Sequence, residues 1–404
     1  NTEKTVYSGK LHKNATQYGH SYMLSNFTKF ATTGKYRAIA EVGGINYTSY
    51  DFEIGDNVYD VIRERAVDFF YYQRSGYDVK EIVDGFIGNP AGNLDDAMIW
   101  NGTYPNGDPK LVWKNLTGGW HDAGDYNKYN GWYQTQWFCT HALANAWQLD
   151  NNSFWLSRKN VVDSSAPDVL DEMLWGAAFM VKMVDTGDIR GFNERGLVMD
   201  TVSGWNYLEN KSSRMGYWGP PHLYTTPEID GDERVCGPSD SEESHLPGGG
   251  RAEVPWGFVT SDRGYQYAGT LLQVARILEK YQAANPSYEP LKWGTEFELN
   301  VTNLRYVAGL INESYAPRLS KTYETTSIEH AIGELLYHRE IANLTGDWNV
   351  FDRWVNATMK KLVLRGTLNT NAYFMDDHAF AIILESYLES GREIPDHIIA
   401  NTTL

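Results

Sequence analysis

The feature that most constrains this chain is a twelve-residue stretch with the sequence Gly-Gly-Trp-His-Asp-Ala-Gly-Asp-Tyr-Asn-Lys-Tyr, which we call the signature segment (residues 118–129). It places Asp122 and Asp125 three residues apart among glycines and aromatic rings. Two close carboxylates repel, so either one pKa rises or both bind a common partner. Sugar hydrolysis uses such a pair, with aromatic faces holding the sugar. The alternative is a loop whose aspartates cap a helix starting near Tyr129.

The signature segment resembles the core motif of the glycoside hydrolase family 9 catalytic domain, Gly-Gly-Trp-x-Asp-Ala-Gly-Asp-x-x-Lys-Tyr. In that family the second Asp is the catalytic base and the first helps to hold the attacking water. The resemblance therefore implies that Asp125 is the base and that Asp122 positions the water.

Bulk composition excludes several classes of protein. The 404 residues suit one large domain, or a large and a small one, and 42% of them are apolar. No apolar run reaches the length of a membrane span. The net charge of −17 argues against nucleic acid or an anionic membrane as a partner. Aromatic residues make up 14% of the chain, which favours carbohydrate binding but also suits a large helical core.

The chain starts at Asn1 without Met and shows no leader, so it reads as processed or incomplete. Its two cysteines, Cys139 and Cys236, allow one disulfide at most. Cys139 lies in an apolar helical run, which predicts a buried free thiol.

Acceptor motifs for N-glycosylation, Asn-x-Ser/Thr, occur twelve times. Chance would give roughly four, so we expect a glycoprotein that is secreted or exposed at the cell surface. A composition rich in Asn and Thr is the alternative. The twelve positions are Asn14, Asn26, Asn46, Asn101, Asn115, Asn151, Asn210, Asn300, Asn312, Asn343, Asn356 and Asn401.

Residues 1–55 read as β-strands, predicted at Thr5–Leu11, Gly34–Val42 and Tyr47–Ile54. Members of family 9 often carry an immunoglobulin-like β-sandwich before the catalytic domain, and residues 34–54 resemble its closing part. About 100 residues are usual for such a sandwich, so residues 1–55 form a partial one. We expect its remaining strands to come from an upstream segment or from a neighbouring molecule, which implies self-association through residues 1–55.

From Asp56 to residue 404 the hydrophobic period becomes helical. The first helix starts near Asp56 and ends in Phe69-Phe70-Tyr71-Tyr72, which again resembles family 9. The fold class is therefore mainly α, and the resemblance implies an (α/α)6 six-hairpin toroid after the partial β-sandwich. Further helices are predicted at about 132–149, 167–186, 265–282, 297–311, 328–345, 350–364 and 377–390.

The segment Pro167-Asp168-Val169-Leu170-Asp171-Glu172 matches a second family pattern. It also reads as a good helix start, with Pro near the first turn and acidic groups at the positive end of the dipole. We interpret these acids, and Glu334 in a later helix, as structural, with Leu170, Leu174 and Phe179 in the core.

The long loop between Gly187 and Thr260 is expected to cover a cleft, because long ordered loops are usually functional. Its acidic run from Glu228 to Glu243 has oxygens that suit calcium, although a solvated acidic loop is the simpler interpretation. The family's calcium segment corresponds to residues 213–219, where Arg214 stands in place of an acid. We therefore expect no required cofactor, with structural calcium only weakly supported.

An inverting hydrolase also needs a protonated carboxyl about 6.5–9.5 Å from the base. The family supplies a Glu in an Asn-Glu-x-Ala pattern, and the match here is Asp376-Asp377-His378-Ala379, with Asp377 at the acid position. Asp is one methylene shorter, which retracts the proton donor by about 1.5 Å. The pair can instead cap the following helix. The family's Pro-x-x-Pro-His-His-Arg segment is missing, since residues 343–373 contain no His, and Glu385 and Glu389 are expected at the surface.

Two functions follow. The first is an extracellular inverting hydrolase of a β-1,4-linked glucan or glucosamine polymer, with Asp125 as base, Asp122 on the water and Asp377 as acid. Its sugar-binding walls would be Trp120, His121, Tyr126, Tyr129 and Trp132. The second is a non-catalytic surface or filament glycoprotein that keeps the barrel, favoured by the changed acid and the partial sandwich.

Overall fold

The computed structural model describes residues 4–17, 20–79, 91, 94, 98–103, 109–121, 128–130, 136–149, 166–185, 195–199, 201–203, 235–237, 261–290, 299–318, 327–364 and 375–399. The chain divides into two compact units, residues 1–66 and 67–404. The domain boundary predicted from the sequence lies after residue 55, whereas the structural division falls inside the first helix.

The described helices dominate the larger unit, which confirms the mainly α prediction. They are α1 Asp60–Tyr72, α2 Gln136–Leu149, α3 Asp168–Lys182, α4 Ser261–Ala284, α5 Val301–Tyr315, α6 Ile328–Thr345, α7 Asn349–Leu364, α8 Met375–Ser390 and α9 Asp396–Ile399. A 3-10 turn, Ala316–Arg318, follows α5.

Helix boundaries follow local capping chemistry. Helix α6 begins as predicted because the Ser327 hydroxyl accepts a hydrogen bond from the His330 N–H at 3.1 Å. Helix α5 begins four residues later than predicted, at the point where the Asn300 side chain accepts from the Asn303 N–H at 2.9 Å. Pro167 occupies the N-cap of α3, with Asp168 and Asp171 in the first turn.

Helix α4 lies at the centre of the described helices, with α2, α3, α5 and α6 packed around it. Helix α6 in turn contacts α7 and α8. The predicted core residues Leu170, Leu174 and Phe179 are buried. Helices α2, α4, α6 and α8 therefore each turn one face toward a neighbouring helix of this group.

Residues 1–66 contain three separate strand pairs. The strands are β1 His12–Gln17, β2 His20–Leu24, β3 Gly34–Tyr36, β4 Ile39–Val42, β5 Ile45–Thr48 and β6 Phe52–Ile54. They pair antiparallel as β1–β2, β3–β6 and β4–β5. The predicted strand at Thr5–Leu11 is wrong, and both β1 and β2 were missed. The immunoglobulin-like assignment stays a prediction.

A five-stranded sheet in the larger unit was not predicted. Its strands are β7 Met98–Thr103, β8 Pro109–Trp113, β9 Lys128–Tyr129, β10 Thr201–Ser203 and β11 Val235–Gly237. The order is β8-β7-β11-β10-β9, and the β7–β11 pair is parallel. Strands β9, β10 and β11 have two or three residues each, too few for an alternating pattern. The sheet matters because β8 leads into the signature segment and β9 ends it.

Candidate active site

The described part of the signature segment follows an irregular path set by two glycines. Gly118 and Gly119 have φ values of 102° and 70°, which side chains other than glycine rarely adopt. A Cβ on Gly119 would lie 2.7 Å from Gln136 Oε1 and 2.8 Å from the Phe179 ring. The backbone therefore passes closer to α2 and α3 than a larger residue would permit.

The C-terminal end of α1 fixes one side of this backbone. The Ser75 N–H and the Trp175 indole N–H both donate to the Gly119 carbonyl at 2.9 Å. The His121 N–H donates to the Gln73 carbonyl, also at 2.9 Å. Because Asp122 directly follows His121, these bonds fix the described backbone immediately before Asp122.

Two buried lysines fix the backbone of residues 116–118, at the start of the signature segment. Lys128 Nζ donates to the carbonyls of Leu116 at 2.8 Å and Gly118 at 3.0 Å. It also lies 4.7 Å from the centre of the Phe179 ring. Lys182 Nζ donates to the Thr117 carbonyl at 2.8 Å. Lys128 follows Asp125 by three residues, so its bonds tie the residue after that segment to the backbone that precedes it.

A buried ion pair contacts the same segment through the Trp120 side chain. Arg74 Nη2 lies 2.7 Å from Glu172 Oε1, and the two side chains are 1% and 3% exposed. The other Glu172 oxygen accepts from the Trp120 indole N–H at 3.2 Å. The interpretation of Glu172 as structural agrees with this geometry.

Trp120 was predicted to form a sugar-binding wall, and the structure corrects that expectation. Trp120 is 3% exposed, and its ring packs edge-on against Phe70 at 5.5 Å. Its outer edge lies against α3, where a Cβ on Gly176 would come within 2.3 Å of the indole. The indole is a buried anchor of the segment, because its outer edge packs against α3 and its N–H already donates to Glu172.

The structure describes only some of the other predicted site residues. His121 is buried, and Tyr129 lies in β9 opposite Thr201. Asp122, Asp125, Tyr126 and Trp132 lie outside the described residues, so their roles stay predictions.

Asp377, the predicted acid, lies in the first turn of α8 and is half-buried. Because α8 begins at Met375, the Asp376-Asp377 pair lies inside the helix rather than at its cap. A carboxylate in the first turn is favoured by the helix dipole. The next residue, His378, stacks on Trp137 at 6.0 Å, and burial together with Arg339 lowers its pKa to about 3. A neutral imidazole therefore adjoins the predicted acid.

The facing sides of α2, α4, α6 and α8 carry a polar network that sequence reasoning missed. His141 Nδ1 and Gln273 Oε1 are 2.6 Å apart, and the Gln273 amide donates to Asn145 Oδ1 at 2.7 Å. Asn145 Nδ2 lies 3.1 Å from His141 Nε2 and donates to Glu385 Oε2 at 2.9 Å. Because Nδ1 faces an amide oxygen and Nε2 faces an amide nitrogen, these hydrogen bonds place the His141 proton on Nδ1. Burial, His378 and Arg339 hold the His141 pKa well below its usual range.

Glu385 was predicted at the surface, and the structure corrects this. Its side chain is 19% exposed, and burial raises its pKa to about 7 although Arg339 Nη1 lies 3.9 Å away. Arg339 is fully buried and shares Glu340 with Arg276. The signal that could have found the network is the polar spacing of His141, Asn145 and Gln148 along one face of α2.

We expect Glu385→Gln to remove a pH dependence from folding stability. The raised pKa means that the folded state prefers protonated Glu385, so its stability contribution is complete below about pH 4.5 and falls as pH rises toward 7. Each unit of pKa corresponds to about 1.4 kcal/mol, so the wild type should lose at most about 3 kcal/mol relative to the variant.

Urea unfolding at pH 4, 5.5 and 7.5 measures this difference, with the exposed Glu313→Gln as the matched control. Parallel pH profiles for the wild type and Glu385→Gln would contradict the account.

A second buried carboxylate, Glu334, was predicted to be structural. Its oxygens lie 3.2 Å from His330 Nε2 and 3.0 Å from His338 Nε2. Burial alone would raise its pKa, but the hydrogen bonds from the two histidines outweigh burial and lower it. The two histidines are therefore partners of Glu334 within α6.

The described residues contain no cluster of three or more His, Cys, Asp or Glu side chains that could hold a metal ion. The acidic run from 228 to 243 lies almost wholly outside them, as do residues 213–219. Cys139 is a free thiol on the partly buried side of α2. No helix in the described ranges has the length and apolar character needed to cross a bilayer.

The glycosylation motifs differ in accessibility. Asn26, Asn46 and Asn356 are exposed, whereas the Nδ2 atom of Asn343 is buried in α6. The attachment atom of Asn343 is therefore enclosed in the folded chain. Asn26 and Asn115 accept hydrogen bonds from the N–H and hydroxyl of the Thr two residues later. Asn14, Asn101, Asn151, Asn210 and Asn401 have no described side chain.

Comparison with known proteins identifies relatives of the larger unit. Residues 59–245 match the family model described as glycosyl hydrolase family 9. A xyloglucan-specific endo-β-1,4-glucanase from Bacteroides ovatus is 32% identical over 168 residues, which is 40% of this chain and 27% of the relative. Endoglucanase D from Acetivibrio thermocellus is 30% identical over 273 residues, 64% of this chain and 35% of the relative.

Solved structures give the same fold. The chain aligns with a family 9 protein from Bacteroides ovatus at a TM-score of 0.58 and 19% identity, covering 98% of this chain and 63% of the other. The family 9 endoglucanase J30 aligns with a TM-score of 0.60 and 19% identity, and the alignment covers 98% of this chain and 65% of the endoglucanase. The chain thus spans less than two thirds of these relatives. The likeness confirms the predicted fold class, a helical (α/α)6 barrel.

The matched range contains α1, the signature segment and the α3 residues that anchor it, but not Asp377. The recognition made from the signature segment is confirmed, because residues 59–245 of this chain match the model of glycosyl hydrolase family 9.

Proposed function

We propose that this protein is an extracellular inverting glycoside hydrolase that cleaves a β-1,4-linked glucan or glucosamine polymer. Asp125 deprotonates the attacking water, Asp122 positions that water, and Asp377 protonates the leaving oxygen. The observation that carries the proposal is the family match across the signature segment, together with the anchoring of its backbone by α1, α2 and α3. No organic cofactor takes part in this chemistry.

The substrate class is tested by measuring new reducing ends from barley β-glucan, xyloglucan and chitosan with the whole chain. We expect release from at least one of the three polymers. A folded protein that releases reducing ends from none of them would exclude the hydrolase.

The acid assignment predicts an effect that depends on the leaving group. Asp377→Asn should lower kcat on a polysaccharide by about 10²–10⁴-fold, because an alkoxide leaving group needs a proton. A dinitrophenyl cello-oligosaccharide has a leaving group that needs none, so its hydrolysis should change little. Both substrates are compared with the same enzyme preparations.

Equal losses on both substrates would contradict the role of Asp377 as acid. Asp377→Glu serves as the matched control, because it keeps the proton and extends the side chain by one methylene.

The extracellular location rests on the twelve acceptor motifs, of which Asn26, Asn46 and Asn356 have exposed side chains. Intact mass before and after enzymatic removal of N-glycans, using protein from its natural source, tests it. An unchanged mass would argue against this location.

A second candidate function, a self-associating surface glycoprotein, is favoured by the apolar surface of residues 1–66. Ile39, Ile45, Tyr47 and Tyr50 are 61%, 58%, 58% and 96% exposed. Each strand in a two-stranded pair also leaves one edge unpaired. Light scattering at high protein concentration tests this candidate. A monomeric wild type, or an oligomer unchanged by Ile45→Lys with Tyr47→Lys, would exclude it.

A further inference from the structure

The side chain of Gln136 makes an unusual contact with the signature segment. The Trp120 N–H donates to Gln136 Oε1 at 2.9 Å, and Gln136 Nε2 donates to the Trp120 carbonyl at 2.8 Å. A single amide thus pairs with one residue's backbone as a neighbouring β-strand would. Gln136 is the first residue of α2 and is buried, so both bonds lie away from solvent.

The opposite side of Trp120 is held by the end of α1. Arg74 forms an isolated antiparallel bridge with Trp120, and the Gln73 carbonyl accepts the His121 N–H. The Trp120 backbone is therefore clamped between α1 and the Gln136 amide. Because Gly118 and Gly119 precede it in left-handed conformations, the segment depends on such external bonds rather than on a regular ladder.

We propose that Gln136 is a positioning residue that fixes the backbone leading into Asp122 and Asp125. This inference rests on the proposed function. Trp120 precedes Asp122 by two residues, so the position of its peptide sets where the chain enters the segment with the two predicted catalytic carboxylates. Misplacement of a reacting group by about 1 Å can cost about 10²-fold in rate.

Gln136→Met and Gln136→Glu test the proposal. Methionine has a similar length but makes neither bond, so kcat should fall by about 10²-fold while KM changes little. Glutamic acid at this position reproduces both bonds only when protonated. Gln136→Glu should therefore regain activity at low pH and lose it as pH rises, through an ionisation that the wild type lacks.

Thr140→Val is the matched control, because Thr140 is buried one turn further along α2 and its hydroxyl donates within the helix, to the Gln136 carbonyl at 2.7 Å. A kcat for Gln136→Met close to that of Thr140→Val would overturn the proposal. A pH-independent loss in Gln136→Glu would do the same, because a structural defect does not follow this titration. If Gln136→Met fails to fold, the pH profile of Gln136→Glu decides alone.

Hydrogen exchange separates this inference from the proposed function. Exchange is measured by mass spectrometry on the peptide that contains Trp120 and His121, without substrate. Faster exchange in Gln136→Met than in Thr140→Val supports the clamp even if the wild type cleaves no polymer, in which case only the hydrolase proposal fails. Equal exchange in the two variants overturns the clamp whatever the activity.

Discussion

Asp125→Asn is expected to lower hydrolysis of the best polymer substrate by about 10²–10⁴-fold while leaving the fold unchanged. An amide has nearly the shape of the carboxylate but cannot take a proton from water. Asp125 lies three residues before Lys128, whose buried ammonium holds the Leu116 and Gly118 carbonyls. The described backbone on either side of Asp125 should therefore stay in place in the variant.

The measurement is kcat from reducing-end release, with circular dichroism to confirm folding. Asp396→Asn, an exposed aspartate in α9, is the control for loss of one negative charge. Activity of Asp125→Asn within a factor of a few of the control would contradict the assignment of Asp125 as base.

The second large effect is expected on stability. Glu172→Gln should lower the free energy of unfolding by about 3–5 kcal/mol, because it leaves the buried Arg74 charge without the carboxylate that now lies 2.7 Å away. The Arg74 guanidinium is surrounded by the rings of Tyr71, Tyr77 and Trp175 at 5.2, 5.0 and 4.7 Å. These rings attract the cation but do not replace a full negative charge.

Urea unfolding measures the loss, and a double-mutant cycle with Arg74→Met and Glu172→Leu provides the control. Removing both charges should cost much less than the sum of the single changes, since apolar replacement of a buried pair is often close to neutral. Additive single and double changes would show that the pair does not couple.

The long helices could be predicted from the sequence because their apolar period repeats over several turns. Helix α6 runs from Ile328 to Thr345 as predicted, and α7 starts within one residue of its predicted start. The short strands could not, because residues 201–203 and 235–237 form a sheet only through distant partners. Thr5–Leu11 shows the opposite error, since an alternating pattern forms no strand without a neighbour to pair with.

The candidate site, like the fold, could be predicted from the sequence only in part. The signature segment was found because its chemistry is continuous in sequence. The residues that support it were not found, because they converge on Trp120 from three separate helices or helix ends. These residues are Arg74, Gln136 and Glu172. Trp120 itself was assigned to sugar binding on residue type alone, whereas its burial depends on Phe70 and Gly176, which are distant in sequence.

The anomeric form of the first product distinguishes the proposed inverting hydrolysis of a β-linked polysaccharide from a retaining one. Proton NMR during the first minutes of hydrolysis distinguishes the new α and β reducing ends before they equilibrate. The account predicts that the α-anomer appears first, since water attacks from the face opposite the leaving group. Initial release of the β-anomer, or no product from a folded enzyme, would contradict it.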